Sequence, residues 1–258
     1  MKPIRLISIL ILPAIVLLAA SCLSESVPAN LPGAELPAPR PGSGEQIVHH
    51  KAFSLSFNHE ARIPNWVAWE LTPERCEGPY GRNDANYDWD PRIKNCPGRS
   101  DYQFSKYGYT RGHMCPAMDN HGDLQALTEC FYMSNMCPQT EALNEGSWNS
   151  LEQRCHVYAR RYGRIFIVCG PVLSNPEELS EIGRGITAPY RFFKALLRYG
   201  TLEDGTPDNS SVAYIFTQDN ARSVVSVNEL EALIGFDLFP GLPDDVEEAI
   251  ENQRRDWR

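Results

Sequence analysis

The sequence lacks the surplus of positive charge that proteins binding nucleic acid over a broad surface usually carry. Its 258 residues include 24 Lys and Arg against 33 Asp and Glu, which gives a formal net charge of −9 at pH 7. Because a phosphate backbone is held largely by Lys and Arg, this charge argues against a passive nucleic-acid-binding module. It leaves open an enzyme that grips a polyanion through a few arginines and a metal ion.

The N-terminal apolar run, residues 7–20, is too short for a membrane span. It follows two basic residues and ends in Ala-Ser before Cys22, which resembles a bacterial lipobox. We therefore predict a signal peptide over residues 1–21 and a lipid on Cys22. The protein would then be exported to the cell envelope and held at a membrane by that lipid; plain secretion is the alternative.

Residues 22–46 contain five prolines and few large apolar side chains. A segment of this composition cannot bury enough surface to fold, and proline keeps it extended. At about 3.1 Å per residue it would reach roughly 70 Å. We predict a linker here, followed by one folded domain over residues 47–258.

The sequence also lacks any Cys-x-x-Cys pair, which argues against a zinc ribbon or a dithiol redox motif. In an oxidising compartment some of its cysteines would pair, but the seven that follow Cys22 cannot all pair within one chain. We predict a disulfide between Cys76 and Cys96, which would staple the loop-rich stretch between them. Cys169 lies in an apolar run and is expected to be a free thiol.

Hydrophobic patterning predicts a mixture of strands and helices, which is the α+β class. The stretch 72–107 is rich in Gly, Pro, Asn and Asp and is predicted to be mainly loop. Gly163 is predicted to end a helix, and Ser226 to cap one. Strands are predicted at 66–71, 164–172, 190–198 and 212–217, and helices at 141–162, 227–234 and from 244 onward.

One segment, residues 109–120, carries side chains suited to phosphodiester chemistry. His113 can take a proton from water near neutral pH, since the imidazole pKa is about 6.5. Arg111 lies two residues away, so on an extended backbone both side chains point to the same face. Gly112 between them allows a close approach of backbone or substrate.

A second polar set follows on the predicted helix. Asn144, Trp148 and Glu152 are spaced by four residues, so they share a broad helix face. An amide and a carboxylate oxygen there suit magnesium, which keeps several waters, better than zinc. We expect Trp148 to serve core packing rather than substrate stacking.

These blocks resemble the DNA/RNA non-specific endonucleases, a family that includes secreted bacterial nucleases and endonuclease G. The matching runs are Tyr-x-Arg-Gly-His-x-x-Pro-Ala from Tyr109, Ser-Asn-Met-x-Pro-Gln from Ser134, and Leu-Asn-x-Gly-x-Trp-x-x-Leu-Glu from Leu143. Three blocks in order are far more specific than Arg-Gly-His alone. The resemblance implies a ββα-metal, or His-Me finger, core with a mainly antiparallel sheet flanked by helices.

By that resemblance, His113 matches the general base and Asn144 the direct magnesium ligand. Glu152 matches the carboxylate that orients metal-bound water near the leaving group. Asn135 matches the asparagine that supports the site beside the histidine, and Arg111 matches the arginine of the motif.

Two further positions are less settled by the resemblance. Arg82 best matches an upstream arginine that contacts phosphate, although Arg75 lies in the same predicted loop. Many members have Asp where this chain has Thr110. We expect Thr110 to lie on the face opposite Arg111 and His113. The difference at this position should then change a residue that supports the site and leave the catalytic residues as they are in the family.

The resemblance implies a hydrolase that cleaves DNA and RNA with little sequence preference. It implies Mg²⁺ as cofactor, with Mn²⁺ as a substitute, and a product with a 5′-phosphate. One alternative is a lipoprotein of the same fold that binds nucleic acid or a surface without catalysis. Another is a phosphodiesterase for small nucleotides.

Overall fold

The fold is built mainly from antiparallel β-strands. The structure, a computed structural model, describes residues 26–28, 31–40 and 44–257. Within these residues the strands are β1 Ser26–Pro28, β2 Gln46–His49, β3 Ser54–Asn58, β4 Ile63–Leu71, β5 Thr110–His113, β6 Met136–Gln139, β7 Ile165–Pro171, β8 Leu179–Ile182, β9 Ile186–Pro189, β10 Arg191–Arg198, β11 Gly200–Leu202, β12 Ser210–Thr217 and β13 Arg222–Val225.

Helices are fewer and mostly short. The α-helices among the described residues are α1 Arg99–Tyr102, α2 Leu124–Cys130, α3 Glu141–Leu143, α4 Asn149–Tyr162, α5 Val227–Ile234 and α6 Asp244–Glu251. A π-helical turn, Asn144–Trp148, joins α3 to α4. Short 3₁₀ turns occupy Pro73–Cys76, Arg82–Asp84, Phe104–Tyr107, Ala117–Asn120, Met133–Asn135 and Pro176–Glu178.

Seven strands form one antiparallel sheet in the order β13-β12-β10-β7-β4-β3-β2. Its central strand β7 is buried throughout, because both faces of the sheet are covered. Ile165 and Ile167 point into one hydrophobic core, while Phe166 and Val168 point into the other. Helix α4 contributes to the first core and α5 to the second. The two faces follow from the alternation of side chains along a strand.

A separate hairpin carries the chemical segment. Strand β5 pairs with β6 antiparallel, with Arg111 opposite Pro138 and His113 opposite Met136. The chain leaves β6 at Thr140, whose side chain accepts a hydrogen bond from the Leu143 N–H at 3.3 Å and so begins the helical segment. This β-β-α unit places the hairpin and the start of α4 side by side.

Most of the predicted regular elements are confirmed. Strands β4, β7, β10 and β12 and helix α5 lie where the pattern placed them. The Ser226 hydroxyl accepts a hydrogen bond from the Glu229 N–H at 3.2 Å, which confirms the predicted cap. The helix over 141–162 is confirmed with one difference, the π-helical turn inside it. The predicted α+β class with a mainly antiparallel sheet is confirmed.

The predicted disulfide between Cys76 and Cys96 is wrong. Both are free thiols, as are the other five cysteines in the described part of the chain, including Cys169. Each of the two thiols has its own backbone partner: the Cys76 Sγ lies 3.6 Å from the Thr72 carbonyl, and the Cys96 Sγ accepts from the Asp90 N–H at 3.4 Å. Burial raises the pKa of Cys96 to about 12, so this thiol stays protonated.

Part of the segment that we predicted as an extended linker, residues 22–46, is instead packed on the domain. Within residues 31–40, Ala34 is buried in the second core. The Arg40 guanidinium carbon lies 3.5 Å from the centre of the Phe236 ring. The few apolar side chains between the prolines are therefore enough to hold this stretch in place once a folded surface is available.

Other N-terminal predictions concern residues without a structural description. The predicted signal peptide, residues 1–21, and the predicted lipid site at Cys22 lie outside the described ranges. In the ranges that are described, each helix is too short or too polar to cross a bilayer.

The β5–β6 hairpin generates a prediction about Gly112. A Cβ at this position would lie 2.0 Å from the Gln139 side-chain oxygen, and Gln139 is fully buried. We expect Gly112→Ala to lower the free energy of unfolding by about 1–3 kcal/mol through overpacking, measured by urea denaturation. The neighbour is a side chain whose Oε1 and Nε2 have no hydrogen-bond partner within the described structure. Adding Gln139→Ala to Gly112→Ala should therefore restore most of the lost free energy of unfolding.

The matched control for this substitution is Gly241→Ala, since a Cβ at Gly241 meets nothing within 4 Å. This variant should unfold like the wild type. If Gly112→Ala were as stable as Gly241→Ala, or if removing the Gln139 side chain gave no recovery, the tight contact across the hairpin would be refuted.

Candidate active site

A cavity of about 810 Å³ lies between the hairpin, the start of α4 and the loop around residue 82. It brings together residues that are far apart in the sequence. Of the six predicted catalytic or metal-binding side chains, five line it: Arg82, Arg111, His113, Asn144 and Glu152. The sixth, Asn135, lies behind the cavity wall and is fully buried.

His113 ends strand β5 with its ring packed against aromatic neighbours. The ring centres of His113 and Phe131 are 4.9 Å apart, and those of His113 and Tyr87 are 5.7 Å apart. Its Nε2 atom is buried and has no hydrogen-bond partner among the described residues, so Nδ1 is the ring nitrogen available to the cavity. Burial, with a smaller contribution from Arg82, lowers the pKa of His113 to about 3. The ring is therefore neutral at pH 7.

Two arginines flank Tyr87 at the cavity wall. Arg82 is exposed and donates from Nη2 to the Tyr87 hydroxyl at 2.9 Å. The Arg111 guanidinium carbon lies 5.0 Å from the Tyr87 ring centre and 5.2 Å from that of Phe104. Burial lowers the pKa of Arg111, though the group stays cationic. Aromatic rings thus hold both cations at a cavity where they can meet an anion.

The structure separates Arg82 from the competing candidate Arg75. Arg75 donates to the carbonyl of Glu70 and, at 2.9 Å, to the Asn120 side chain. It lines a different cavity, of about 500 Å³. Arg75 is therefore committed to holding two backbone segments together, whereas Arg82 faces the cavity that contains His113.

Asn144 is oriented by Thr110. The Asn144 Nδ2 donates to the Thr110 hydroxyl at 3.1 Å, and this hydroxyl donates in turn to the Gln139 carbonyl at 3.0 Å. The amide nitrogen of Asn144 is thereby used, which leaves its Oδ1 as the group to offer the cavity. Thr110 was expected on the face opposite Arg111 and His113, but it lines the same cavity as they do and hydrogen-bonds the predicted metal ligand directly.

Glu152 lies in the first turn of α4 with only 11% of its side chain exposed. Burial raises its pKa to about 7, although the ammonium of Lys194, 3.6 Å from Oε1, acts in the opposite direction. Its carboxyl group therefore ionises near neutral pH, and a shift of this size is typical of residues at functional sites.

Asn135 stabilises the chain next to His113 and does not face the cavity. Its Nδ2 donates to the carbonyls of Cys115 and Cys130 at 2.8 and 2.7 Å, and its Oδ1 accepts from the Cys115 N–H at 2.9 Å. All three of these hydrogen bonds of the Asn135 side chain are made with backbone groups, either of Cys115, which follows β5, or of Cys130, which precedes β6. Asn135 thus fixes the connection that positions His113.

Trp148 links the helix to the hairpin. It is fully buried, which confirms the packing role predicted for it. Its Nε1 donates to the carbonyl of His113 at 3.2 Å, so the indole sets the distance between α4 and the end of β5. The Phe216 ring packs edge-on against the indole, with the two ring centres 5.2 Å apart.

Two residues of the site were missed by sequence reasoning. Tyr87 lies in an irregular stretch without a motif, so no local signal marks it. Lys194 did leave a signal, because it is a single charge inside the apolar run of β10 and proves to be only 1% exposed. A lone lysine in a buried strand indicates a partner, which here is Glu152.

The donor set suits a hard divalent cation held by few protein ligands. Across the described residues no three His, Cys, Asp or Glu side chains converge as a zinc centre would require. The cavity offers an amide oxygen from Asn144 and carboxylate oxygen nearby from Glu152, and oxygen ligands are those that magnesium and manganese prefer. The residues present therefore fit Mg²⁺ or Mn²⁺ with several waters.

Relatives of known name share most of the chain. The zebrafish (Danio rerio) mitochondrial nuclease EXOG is 30% identical over 220 residues, which are 78% of this chain and 63% of that protein. Human mitochondrial endonuclease G is 27% identical over 161 residues, which are 59% of this chain and 54% of that protein. The chain thus spans less than two thirds of the length of these relatives.

These relatives correct one prediction. Both are named as mitochondrial nucleases. The predicted location, an exported and lipid-anchored protein of the cell envelope, is therefore wrong.

A solved structure and a family model address the fold and the family. The crystal structure of the complex between EndoG and EndoGI aligns with a TM-score of 0.67 at 23% identity, over 76% of this chain and 86% of that chain. This likeness confirms the predicted fold. The model of the DNA/RNA non-specific endonucleases matches residues 36–245. The chain therefore belongs to the DNA/RNA non-specific endonuclease family.

Proposed function

We propose that this protein hydrolyses phosphodiester bonds in DNA and RNA with little sequence preference. One observation carries the proposal: a single cavity gathers a neutral imidazole, two guanidinium groups, an amide oxygen and a carboxyl group. Each of these has a use in phosphodiester hydrolysis. Cations at one cavity give local grip on a polyanion in a chain whose net charge is −9.

The proposed cofactor is Mg²⁺, for which Mn²⁺ can substitute. Asn144 would hold it through Oδ1, because the Nδ2 of the same amide is hydrogen-bonded to Thr110. When bound, the ion would stabilise negative charge on the leaving oxygen.

His113 is the proposed general base. The neutral ring can accept a proton from water at Nδ1 while the water oxygen bonds to phosphorus and the phosphorus–oxygen bond to the leaving group breaks. A pKa of about 3 makes it a weak base in the free protein. The negative charge of a bound phosphodiester would raise this pKa toward neutrality and strengthen the base.

Arg82 and Arg111 are proposed to bind the non-bridging oxygens, whose charge grows in the transition state. Glu152 is proposed to act near the leaving oxygen, where its carboxylate would orient a water that gives a proton to that oxygen. Asn135 is assigned to positioning, since its polar atoms are hydrogen-bonded to backbone.

The first experiment is cleavage of supercoiled plasmid and of single-stranded RNA by the purified protein with Mg²⁺. We expect cleavage of both substrates, loss of cleavage with EDTA, and a loss of at least about 100-fold in His113→Ala. His59→Ala is the matched control and should cleave like the wild type, because His59 is exposed and hydrogen-bonds only Gln46 in the described structure. An inert wild type would refute the proposal, and cleavage retained in His113→Ala would refute the assigned base.

The second experiment tests how Thr110 holds Asn144. Thr110→Val removes the hydroxyl that accepts the Asn144 amide proton, and Thr110→Ser keeps it. We expect the valine variant to bind Mn²⁺ about 10–100-fold more weakly and the serine variant to bind within about threefold of the wild type. Electron paramagnetic resonance of free Mn²⁺ measures this without relying on activity. Equal affinities in the two variants would exclude the proposed orientation of the amide.

The third experiment follows the ionisation of His113. Its pKa is lowered from about 6.5 in an unfolded chain to about 3, so the folded state gives up stability as pH falls through this window. In the metal-free protein we expect the His113 ring resonances to stay constant between pH 8 and pH 5 in nuclear magnetic resonance spectra. His113→Ala identifies those resonances. A midpoint near pH 6.5 would show that the ring is solvated and contradict the burial of Nε2.

A further inference from the structure

Lys194 is a buried charge at the base of the active-site cavity. It lies in the middle of β10, and its side chain is only 1% exposed. Its Nζ has no hydrogen-bond partner in the described part of the chain. The atom lies 4.1 Å from the centre of the Trp148 ring and 3.6 Å from Glu152 Oε1, which is also buried without a hydrogen bond. A buried ammonium is costly unless an anion faces it, so the two orphan atoms are best understood together.

The other titratable groups around this pair do not supply that anion. Cys155 and Cys169 lie close enough to act on Lys194, but burial raises the pKa of both thiols, that of Cys155 to about 12. Both are therefore neutral at pH 7. Glu152 is left as the nearest carboxylate to the ammonium of Lys194.

Asp119 also faces Glu152 and Lys194, but other groups satisfy it. One carboxylate oxygen accepts from the Trp69 indole N–H at 2.9 Å, and the other lies 2.6 Å from His156 Nε2. Hydrogen bonding to Asp119 raises the pKa of His156 to about 10 against the effect of burial, so this pair is an ion pair of its own. His156 follows Glu152 by one turn of α4, and two neighbouring ion pairs result.

We propose that Lys194 is a positioning residue for Glu152: its ammonium pairs with the carboxylate and holds it in place at the inner wall of the cavity. Lys194 does not line the cavity, so it does not contact the substrate. Its contact with Glu152 is electrostatic, with Nζ 3.6 Å from Oε1. Oε1 is buried against Lys194, which leaves Oε2 as the oxygen for the reaction. The link to catalysis rests on the proposed nuclease function, whereas the pairing itself does not.

The pairing is tested by thermal unfolding at pH 5 and pH 8, which needs no activity. Lys194→Met keeps the length of the side chain and removes its charge. Without the ammonium, the pKa of Glu152 rises further, and a group with a raised pKa loses its stabilising effect as pH rises. We expect Lys194→Met to lose more stability relative to the wild type at pH 8 than at pH 5. In Lys194→Met with Glu152→Gln, this extra loss at pH 8 should disappear.

A second variant keeps the test decisive if Lys194→Met does not fold. Glu152→Gln alone leaves the buried ammonium without its anion and should lower the midpoint of unfolding at pH 8. Glu145→Gln is the matched control, because Glu145 lines the same cavity but is exposed, and it should unfold like the wild type. Equal midpoints for the two glutamine variants, or an identical pH dependence for Lys194→Met and the wild type, would overturn the proposal.

The effect on cleavage distinguishes positioning from general destabilisation. In Lys194→Met, we expect the acid limb of the pH profile of kcat/KM to move upward by at least one pH unit, a tenfold loss on that limb. The KM for plasmid should stay within about twofold, since Lys194 does not reach the substrate. Lys194→Arg keeps the charge and should retain the wild-type limb. An unshifted limb in Lys194→Met would overturn the role of Lys194 in catalysis. An inert wild type would refute the nuclease function, and the unfolding experiment would still decide whether Lys194 and Glu152 pair.

Discussion

The hydrogen bond from the Trp148 indole to the carbonyl of His113 is the contact on which the proposed active site depends. It joins the helix to the hairpin at the residue that ends β5, so the distance between His113 and the residues of α4 is fixed there. Such a bond is worth only about 1 kcal/mol net, but the buried indole would lose its partner if the two elements moved apart. Asn144 precedes this point by one turn and Glu152 follows it by one turn, and both therefore face the same cavity. The same indole contacts Lys194, whose Nζ lies 4.1 Å from the ring centre.

The cationic side chains at the cavity differ in how deeply they are buried. Arg82 and Arg111 lie at the cavity wall, where Tyr87 and other aromatic rings hold them without neutralising them. Attraction between charges weakens with solvent and salt, so cations at the surface act on a polyanion only nearby. Lys194 lies deeper, where an unpaired charge is costly and where its attraction to Glu152 is stronger. A negatively charged protein can thus present two cations at one cavity without a broad basic surface.

The sequence was sufficient for elements with strong local signals and for residues in motifs. Repeating patterns placed the central strands and helix α5, and ordered motifs named four of the five predicted side chains that line the cavity, all but Arg82. What it could not supply were contacts between distant positions. The bond from Asn144 to Thr110 arises because β5 and the helix meet in space, and the burial of Lys194 depends on the register of β10. The disulfide prediction for Cys76 failed for the same reason, since cysteine spacing says nothing about which thiols face each other.

The turn between β12 and β13 holds the helical segment that carries Asn144 at both ends. Gln218 accepts from the Thr140 N–H at 2.8 Å where the segment begins, and Asn220 accepts from the Ser147 N–H at 2.7 Å where the π-helical turn nears its end. A π-helical turn leaves backbone groups out of the regular α-helical pattern, and such turns occur often at functional sites. Side chains from the turn supply partners at Thr140 and Ser147, so the helical segment that carries Asn144 is held by residues that no motif includes. The large sheet therefore positions the amide that we propose as the metal ligand, as well as forming the core.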